Sequence, residues 1–158
     1  MSTRDPVQEL VVTGFLADSV VAAESKLYVQ GAGWNVLWAP QFPTRHSRLG
    51  IGLIVSVPYT ATNQPHVIDV RIDDGDGRTL QLGLQPDGTP LMKLGGSLNV
   101  GRPPNLAHGD EQLVPLALNI DGLEFEYPDR YGVIVEVDSK PELVIPFRVM
   151  LAGGGPGS

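Results

Sequence analysis

The chain has 158 residues, of which 42% are hydrophobic and 18% are charged; it has no cysteine, and its formal net charge is −7. The acidic balance argues against nucleic acid as a partner, since binding a phosphate backbone needs clustered Lys and Arg. The absence of cysteine excludes disulfides, thiolate metal sites and cysteine nucleophiles. Because no apolar run is long enough for a membrane span or a signal peptide, we expect one cytoplasmic domain over residues 8-152, with flexible termini at 1-7 and 153-158 and no membrane partner.

Short runs of β-branched or alternating residues lie between the many Gly and Pro residues and predict an all-β chain. About eight strands are expected, over residues 10-16, 27-38, 48-57, 67-72, 79-84, 112-120, 131-137 and 143-151. That number exceeds what one flat sheet readily holds, so two packed sheets are predicted. The fold class is therefore a single antiparallel β-sandwich, immunoglobulin-like or C2-like in layout, with at most one short helix.

The segment that follows the first strand has two interpretations. Leu16, Val20, Ala23 and Leu27 are spaced like one face of a helix, and Asp18 could cap it. We expect a short helical turn or an irregular crossover here. Further on, Gly31-Ala32-Gly33 lacks the rest of a dinucleotide fingerprint and predicts a bulge or tight bend.

The acidic run 73-77, Asp-Asp-Gly-Asp-Gly, resembles part of a calcium loop. Aligned on the EF-hand pattern, however, the first and twelfth positions are Ile72 and Gly83, which offer no side-chain oxygen. Turn chemistry accounts for the run, so a hairpin between residues 67-72 and 79-84 is predicted.

The stretches 86-99 and 101-110 have the weakest strand pattern. Pro103-Pro104 stiffens the second of them, which we expect to cross from one sheet to the other. Pro115 indicates a strand at a sheet edge, because proline offers no N–H to a neighbouring strand. Tyr131 opens a late strand and suggests a tyrosine corner, in which the hydroxyl bonds to upstream backbone.

Candidate chemistry is sparse. His46, His66 and His108 are widely separated and lack metal-ligand spacing, so no metal and no cofactor are expected. His66 follows Asn63 at a strand entrance, where its main expected role is to satisfy backbone groups; a ligand contact or proton carrier is the alternative. Nucleophile motifs are absent, and no catalytic residue is assigned.

Two tryptophans lie four residues apart in the predicted strand 27-38. Trp34 and Trp38 would share one side of that strand with Tyr28. Large aromatics are most often core anchors, and this role is favoured for Trp34 more than for Trp38; an exposed patch for a partner is the alternative.

Taken together, an ordered series of motifs resembles an uncharacterised family of small bacterial β-sandwich proteins that is common in actinobacteria. The motifs are Leu16-Ala17-Asp18; Lys26-Leu27 with Gly31, Gly33 and Trp34; Tyr59 with Asn63 and His66; an Asp-Gly hairpin; Gly101-Arg102-Pro103-Pro104; Val114 to Asn119; and Arg130-Tyr131. The resemblance covers roughly residues 10 to 150. It implies a fold, and it implies no activity, cofactor or partner.

These observations favour a non-enzymatic module that binds a protein partner or assembles with its own copies, because a low-charge surface rich in Gly and Pro suits contact with protein. A second hypothesis is a small-molecule site, with or without enzymatic activity, formed by Trp34, Asn63, His66 and Arg102. A third is a subunit of a phage-like or compartment structure.

Overall fold

Strands account for most of residues 9–153, which are the residues that the computed structural model describes. They are β1 (Val11–Ala17), β2 (Ser19–Ala23), β3 (Lys26–Gln30), β4 (Val36–Ala39), β5 (Thr44–Pro58), β6 (Pro65–Asp73), β7 (Gly83–Leu84), β8 (Pro90–Leu91), β9 (Leu94–Asn99), β10 (Glu111–Phe125), β11 (Asp129–Val137) and β12 (Lys140–Leu151). Within these residues the helical content is one 3-10 turn, Tyr59–Ala61. The predicted flexible termini 1-7 and 153-158 lie outside the described residues, except for residue 153.

Two sheets form the body of the protein. The larger has the order β4-β12-β11-β6-β9, and the smaller has the order β1-β5-β10. The all-β class and the predicted sandwich of two packed, mainly antiparallel sheets are confirmed. Two details differ: β4 pairs with β12 in parallel, and the described chain has twelve strands rather than about eight. The number rises because one predicted strand is divided in two and because short strands occur in stretches with weak patterns.

The core lies between the sheets and follows from alternation along the long strands. In β5, Leu49, Ile51, Leu53, Val55 and Val57 all point inward and are fully buried. Partners from the larger sheet include the buried residues at alternate positions of β6 and β11. A strand whose side chains alternate in this way places every second residue against the opposite sheet.

An aromatic group closes one end of the core. Phe125, Tyr131 and Phe147 pack with ring centroids 4.9 to 6.1 Å apart. The Tyr131 hydroxyl donates to the Tyr127 carbonyl at 3.1 Å, as the predicted tyrosine corner requires. Burial raises the pKa of Tyr131 to about 12, with smaller contributions from nearby charges such as Asp129.

The segment predicted as a helical turn or crossover is instead a β-hairpin formed by β2 and β3, and that prediction is wrong. Its two turn residues, Glu24 and Ser25, have φ angles of 54° and 58°. This left-handed pair is the geometry that matches the twist of a two-residue hairpin. The sequence does not carry the usual Asn-Gly at the turn, so the four-residue apolar spacing suggested a helix.

The predicted strand 27-38 breaks into β3 and β4 at Gly31 and Gly33, whose φ angles are 68° and 97°. The expected tight bend is therefore confirmed, and Trp34 does not share a strand face with Trp38 and Tyr28. At Gly31 a Cβ would collide with the Asp18 carboxylate, so glycine is required for the close approach as well as for the bend.

The acidic run forms the expected turn, but the hairpin is much shorter than predicted. The Asp74 carboxylate accepts the amides of Asp76 and Arg78, each at 2.9 Å. Asp73 and Thr79 form a bridge, and the Leu80 backbone amide donates to the Ile72 carbonyl at 2.8 Å; beyond this bond the chain leaves β6. The neighbours of β6 are β11 and β9, and β9 lies in the stretch predicted to be loose. The predicted strand 79-84 is thus wrong except for its last two residues.

The connector 101-110 runs from β9 in the larger sheet to β10 in the smaller one, which confirms the predicted crossing. Pro115 lies in β10, an edge strand, as its missing N–H predicted.

Candidate functional site

Three of the four residues predicted for a small-molecule site, Asn63, His66 and Arg102, surround the 3-10 turn that follows β5. Asn63 has a φ of 59°, and its backbone N–H donates to the Val100 carbonyl at 2.7 Å. Thr62 is buried and donates its hydroxyl to the Tyr59 carbonyl at 2.7 Å. Hydrogen bonds therefore stabilise the turn internally and link it to Val100, the residue that follows β9.

Arg102 joins the connector to this turn. Its Nε donates to the Thr62 hydroxyl at 2.8 Å, and its Nη2 donates to the Tyr59 carbonyl at 2.9 Å. The guanidinium carbon lies 3.8 Å from the centroid of the Tyr59 ring, within the range of a cation–π contact. The His108 ring also packs on Tyr59, with 4.0 Å between centroids. Arg102 therefore cross-links the connector 101-110 to the 3-10 turn.

His66 is buried beside the same turn, with 7% of its surface exposed. Nε2 lies 2.9 Å from the Ala61 carbonyl, and Nδ1 lies 2.8 Å from Oδ2 of Asp138. A carbonyl oxygen can only accept, so Nε2 must carry a proton. A carboxylate opposite Nδ1 favours a second proton there, which makes the pair an imidazolium and a carboxylate.

The titration of both groups reflects this pairing. Burial lowers the pKa of His66, but the hydrogen bonds to Asp138 and Ala61 outweigh burial, and the net pKa is raised. The His66 hydrogen bond, followed by the bond from the Val67 amide, lowers the pKa of Asp138. With both ring nitrogens engaged, His66 ties the start of β6 to the turn between β11 and β12. This is the backbone-satisfying role that the sequence favoured.

Trp34 does not belong to this cluster. Its indole Nε1 donates to the Gly31 carbonyl at 2.8 Å, and its ring packs against the edge of the core. Two residues after Trp34, Val36 pairs with Arg148 of β12, whereas His66 lies beside the start of β12 at Lys140. At about 3.4 Å per residue, Lys140 and Arg148 are about 27 Å apart along the strand. The structure thus brings Asn63, His66 and Arg102 to one turn and places Trp34 elsewhere.

A different surface stands out on the three-stranded sheet. Nine outward-facing residues form three cross-strand rows, which we call the small-sheet face: Val11, Ser56 and Leu113; Thr13, Ile54 and Pro115; Phe15, Gly52 and Ala117. None of the nine is charged, and six are apolar side chains. The outer side of an antiparallel sheet usually carries polar residues. In this sheet the three rows are uncharged and mostly apolar, although they lie on the side opposite the core.

The edges of the small-sheet face are the most exposed. Leu113 is 61% exposed and Val11 is 58% exposed. The Phe15 ring lies over Gly52, where any Cβ would collide with it, so the glycine leaves room for the ring to lie flat on the sheet. At one corner the Ser56 hydroxyl is hydrogen-bonded to Glu111. Sequence reasoning missed this surface, although the uncharged outward positions of 48-57 and 112-120 were visible in the alternation.

The β2–β3 hairpin covers the end of the sheet beyond these rows. A Cβ at Gly50 would lie 3.1 Å from Cγ2 of Val20, so the hairpin packs directly on the sheet backbone. The Asn119 side chain holds it there: its Oδ1 accepts the Val20 amide at 3.0 Å, and its Nδ2 donates to the Val20 carbonyl at 2.8 Å. On the outer side of the hairpin, Val21 and Tyr28 face each other across the strands and are exposed. The hairpin therefore carries an exposed apolar pair of its own.

Comparison with known protein families identifies the family to which the chain belongs. Residues 13–150 match the model of DUF6941, a family of unknown function. The chain belongs to this family. Its predicted membership of an uncharacterised family is thereby confirmed, while the actinobacterial range and the motif series remain predictions for DUF6941. No curated protein matches the chain.

Three solved structures show low similarity. The alkylpurine DNA glycosylase AlkC of Pseudomonas fluorescens has 14% identity and a TM-score of 0.44, over 90% of this chain and 30% of that one. An immunoglobulin-like protein of Pseudomonas aeruginosa has 11% identity and a TM-score of 0.38, over 92% and 99%. A glycosyl hydrolase family 2 member of Bacteroides cellulosilyticus has 10% identity and a TM-score of 0.38, over 88% and 26%. At these scores, nothing about function follows from them.

Two further observations concern residues 9–153. Their His, Asp and Glu side chains nowhere gather in a group of three or more that could hold a metal ion. Nor does this part of the chain contain a helix with the length and apolar character needed to cross a membrane.

Proposed function

We propose that this DUF6941 protein is a non-enzymatic module that binds protein, its own copies included, and that the small-sheet face is its contact surface. The observation that carries the proposal is the absence of charge from nine outward positions of an antiparallel sheet. Burying exposed apolar surface is favourable by about 25 cal/mol per Å². Exposed apolar patches on soluble domains commonly mark interaction sites.

Self-assembly is the form of binding that the charge distribution supports best. The formal net charge of −7 makes two copies repel each other over most of their surfaces. The small-sheet face opposes fewer like charges, since none of its nine residues is charged and the Glu111 carboxylate, bonded to Ser56, lies at its border. A face that matches itself forms a closed two-fold pair, which is the commonest symmetry of soluble oligomers. A subunit role in a larger particle, the third hypothesis from the sequence, would be an extension of the same contact.

The small-molecule hypothesis has weaker support. Its residues would need hydrogen-bonding groups that point to a ligand, yet both ring nitrogens of His66 and two nitrogens of Arg102 bond to the protein itself. These contacts favour a structural role. If they are structural, His66→Ala and Arg102→Ala will both lower the melting temperature; variants that keep the wild-type melting temperature but lose a stabilising ligand would favour a site.

The test of self-assembly is analytical ultracentrifugation over a wide range of concentration. We expect the wild type to associate reversibly and Leu113→Glu to remain a monomer, because the new carboxylate would be desolvated in the contact. Val144→Glu is the matched control: Val144 is 54% exposed, and it lies on the outer side of the larger sheet. A wild type that stays monomeric at high concentration, or an equal effect of both variants, would contradict the proposal.

A further inference from the structure

The sandwich is closed on one flank and open on the other. On the closed flank β1 packs against β12. On the open flank the edge strands β9 and β10 belong to different sheets, and a cavity of about 340 Å³ lies between them. Its walls are apolar and include Leu94 and Leu98 from β9 and Leu116 and Leu118 from β10. We call this cavity the flank cleft.

Because Gly96 has no side chain, part of the flank cleft is empty. Gly96 pairs with the buried Ile68, so its position faces inward. A Cβ added at Gly96 would meet no atom within 4 Å. Leu94 and Leu98 on either side of it are only partly buried against the core. Space for about one apolar side chain therefore remains at the middle of β9, on the core side of the sheet.

The two edge strands differ in how they are protected. β10 carries Pro115, which removes a backbone donor from its edge. The sequence of β9, Leu-Gly-Gly-Ser-Leu-Asn, has neither proline nor charge, although exposed edges usually carry one or the other. In the described chain β6 is the only strand that pairs with β9, so the outer backbone groups of β9 are available to another strand.

Cations lie at both ends of β9. Lys93 directly precedes the strand and is exposed, with a loose 3.7 Å contact to Asp69. Arg102 follows the strand by three residues, and among residues 9–153 no carboxylate lies within ion-pair distance of it. The wall of the cleft between them is uncharged. On the outer side of the sheet the Asp69 carboxylate lies against Gly95, whereas the cleft side of β9 is uncharged and the exposed Lys93 stands at the start of the strand.

We propose that β9 and the flank cleft form a second binding site, which accepts an extended peptide segment of another protein by strand addition. Backbone hydrogen bonds to β9 would supply affinity, and the cleft would select apolar side chains at alternate positions. The exposed Lys93 favours a carboxylate near one end of the segment. This site is separate from the small-sheet face and does not depend on the proposed self-assembly.

The test uses a fluorescein-labelled synthetic peptide in which valine and threonine alternate between terminal aspartates, titrated by fluorescence anisotropy. The protein is the full chain with Leu113→Glu, so that association through the small-sheet face does not contribute. We expect saturable binding, weakened about tenfold by Gly96→Leu, which occupies the space at the middle of β9, and weakened by Lys93→Glu. Ser97→Leu is the matched control, because it adds the same side chain to the outer side of the same strand. A peptide of the same composition without alternation should bind more weakly.

Amide hydrogen exchange locates the contact independently of the variants. Bound peptide should slow exchange in residues 94-99 of the otherwise unmodified Leu113→Glu protein. The proposal is overturned by an absence of saturable binding, by equal effects of Gly96→Leu and Ser97→Leu, or by protection that lies elsewhere. Persistent self-association of the Leu113→Glu protein with protection of β9 would also overturn it, since a second copy would then be the occupant.

Discussion

At the scale of single residues, the pair formed by His66 and Asp138 makes stability depend on pH. The raised pKa of His66 means that its contribution is full below the unfolded value, about 6.5, and is lost as the pH rises through the folded value. The lowered pKa of Asp138 means that its contribution is present above about 3.9 and is lost as the pH falls through the folded value. The pair should therefore stabilise the fold most between about pH 4 and 6.5.

We predict that the free energy of unfolding decreases by about 1 kcal/mol when the pH rises from about 6 to about 9; the figure is modest because Asp138 is half-exposed. Urea denaturation at several pH values measures it. Asp138→Asn should remove most of this dependence, since a neutral amide no longer favours the imidazolium. His108→Asn alters an exposed histidine and should keep the wild-type slope. Equal slopes in the wild type and Asp138→Asn would contradict the assignment.

Asn119 is a second residue with an effect beyond its own position. Its side-chain amide makes hydrogen bonds to both the backbone N–H and the backbone carbonyl of Val20, as a neighbouring strand would, and so holds the hairpin on the small sheet. Asn119→Ala removes two hydrogen bonds and should lower the free energy of unfolding by about 1–2 kcal/mol. Hydrogen exchange at the Val20 amide should accelerate more than exchange in β5. Asn99→Ala, at an exposed strand position, is the control and should change neither quantity appreciably.

At the scale of elements, the long strands were predictable and the short ones were not. Alternation in β5 is carried by five inward aliphatic residues, and it fixes both the strand and its buried side. In β9 the central inward position is Gly96, so the apolar pattern is too weak to indicate a strand. Its strand geometry comes from pairing with β6, a long-range contact that local sequence does not encode.

The opposite error, at residues 79-84, has a related cause. Leu80, Leu82 and Leu84 alternate as a strand would, and the acidic turn directs the chain back towards β6. A strand has only two edges, however, and β11 and β9 occupy both edges of β6 along most of its length. Local pattern and turn chemistry therefore favoured a longer hairpin than the free part of the β6 edge can pair.

The candidate polar site was predictable to a similar extent. Asn63 and His66 are three residues apart, and their common location at a turn follows from the sequence. Arg102 reaches the same turn because β9 pairs with β6 and ends beside it, which the sequence did not reveal. Asp138, the charged partner of His66, was not identified, because its proximity depends on the pairing of β11 with β6.

At the scale of the whole molecule, salt distinguishes an apolar self-contact from one made by ion pairs. Two copies that each carry a formal charge of −7 repel each other at low ionic strength. Salt screens that repulsion, with a Debye length of about 8 Å at physiological ionic strength, and it does not weaken the burial of an uncharged face. We therefore predict that self-association, measured by sedimentation, strengthens as sodium chloride is raised from low to physiological concentration. Val144→Glu adds a charge away from the contact and should show the same trend with a steeper slope. Association that weakens with salt would indicate an ion-paired interface and would exclude the small-sheet face as the main contact.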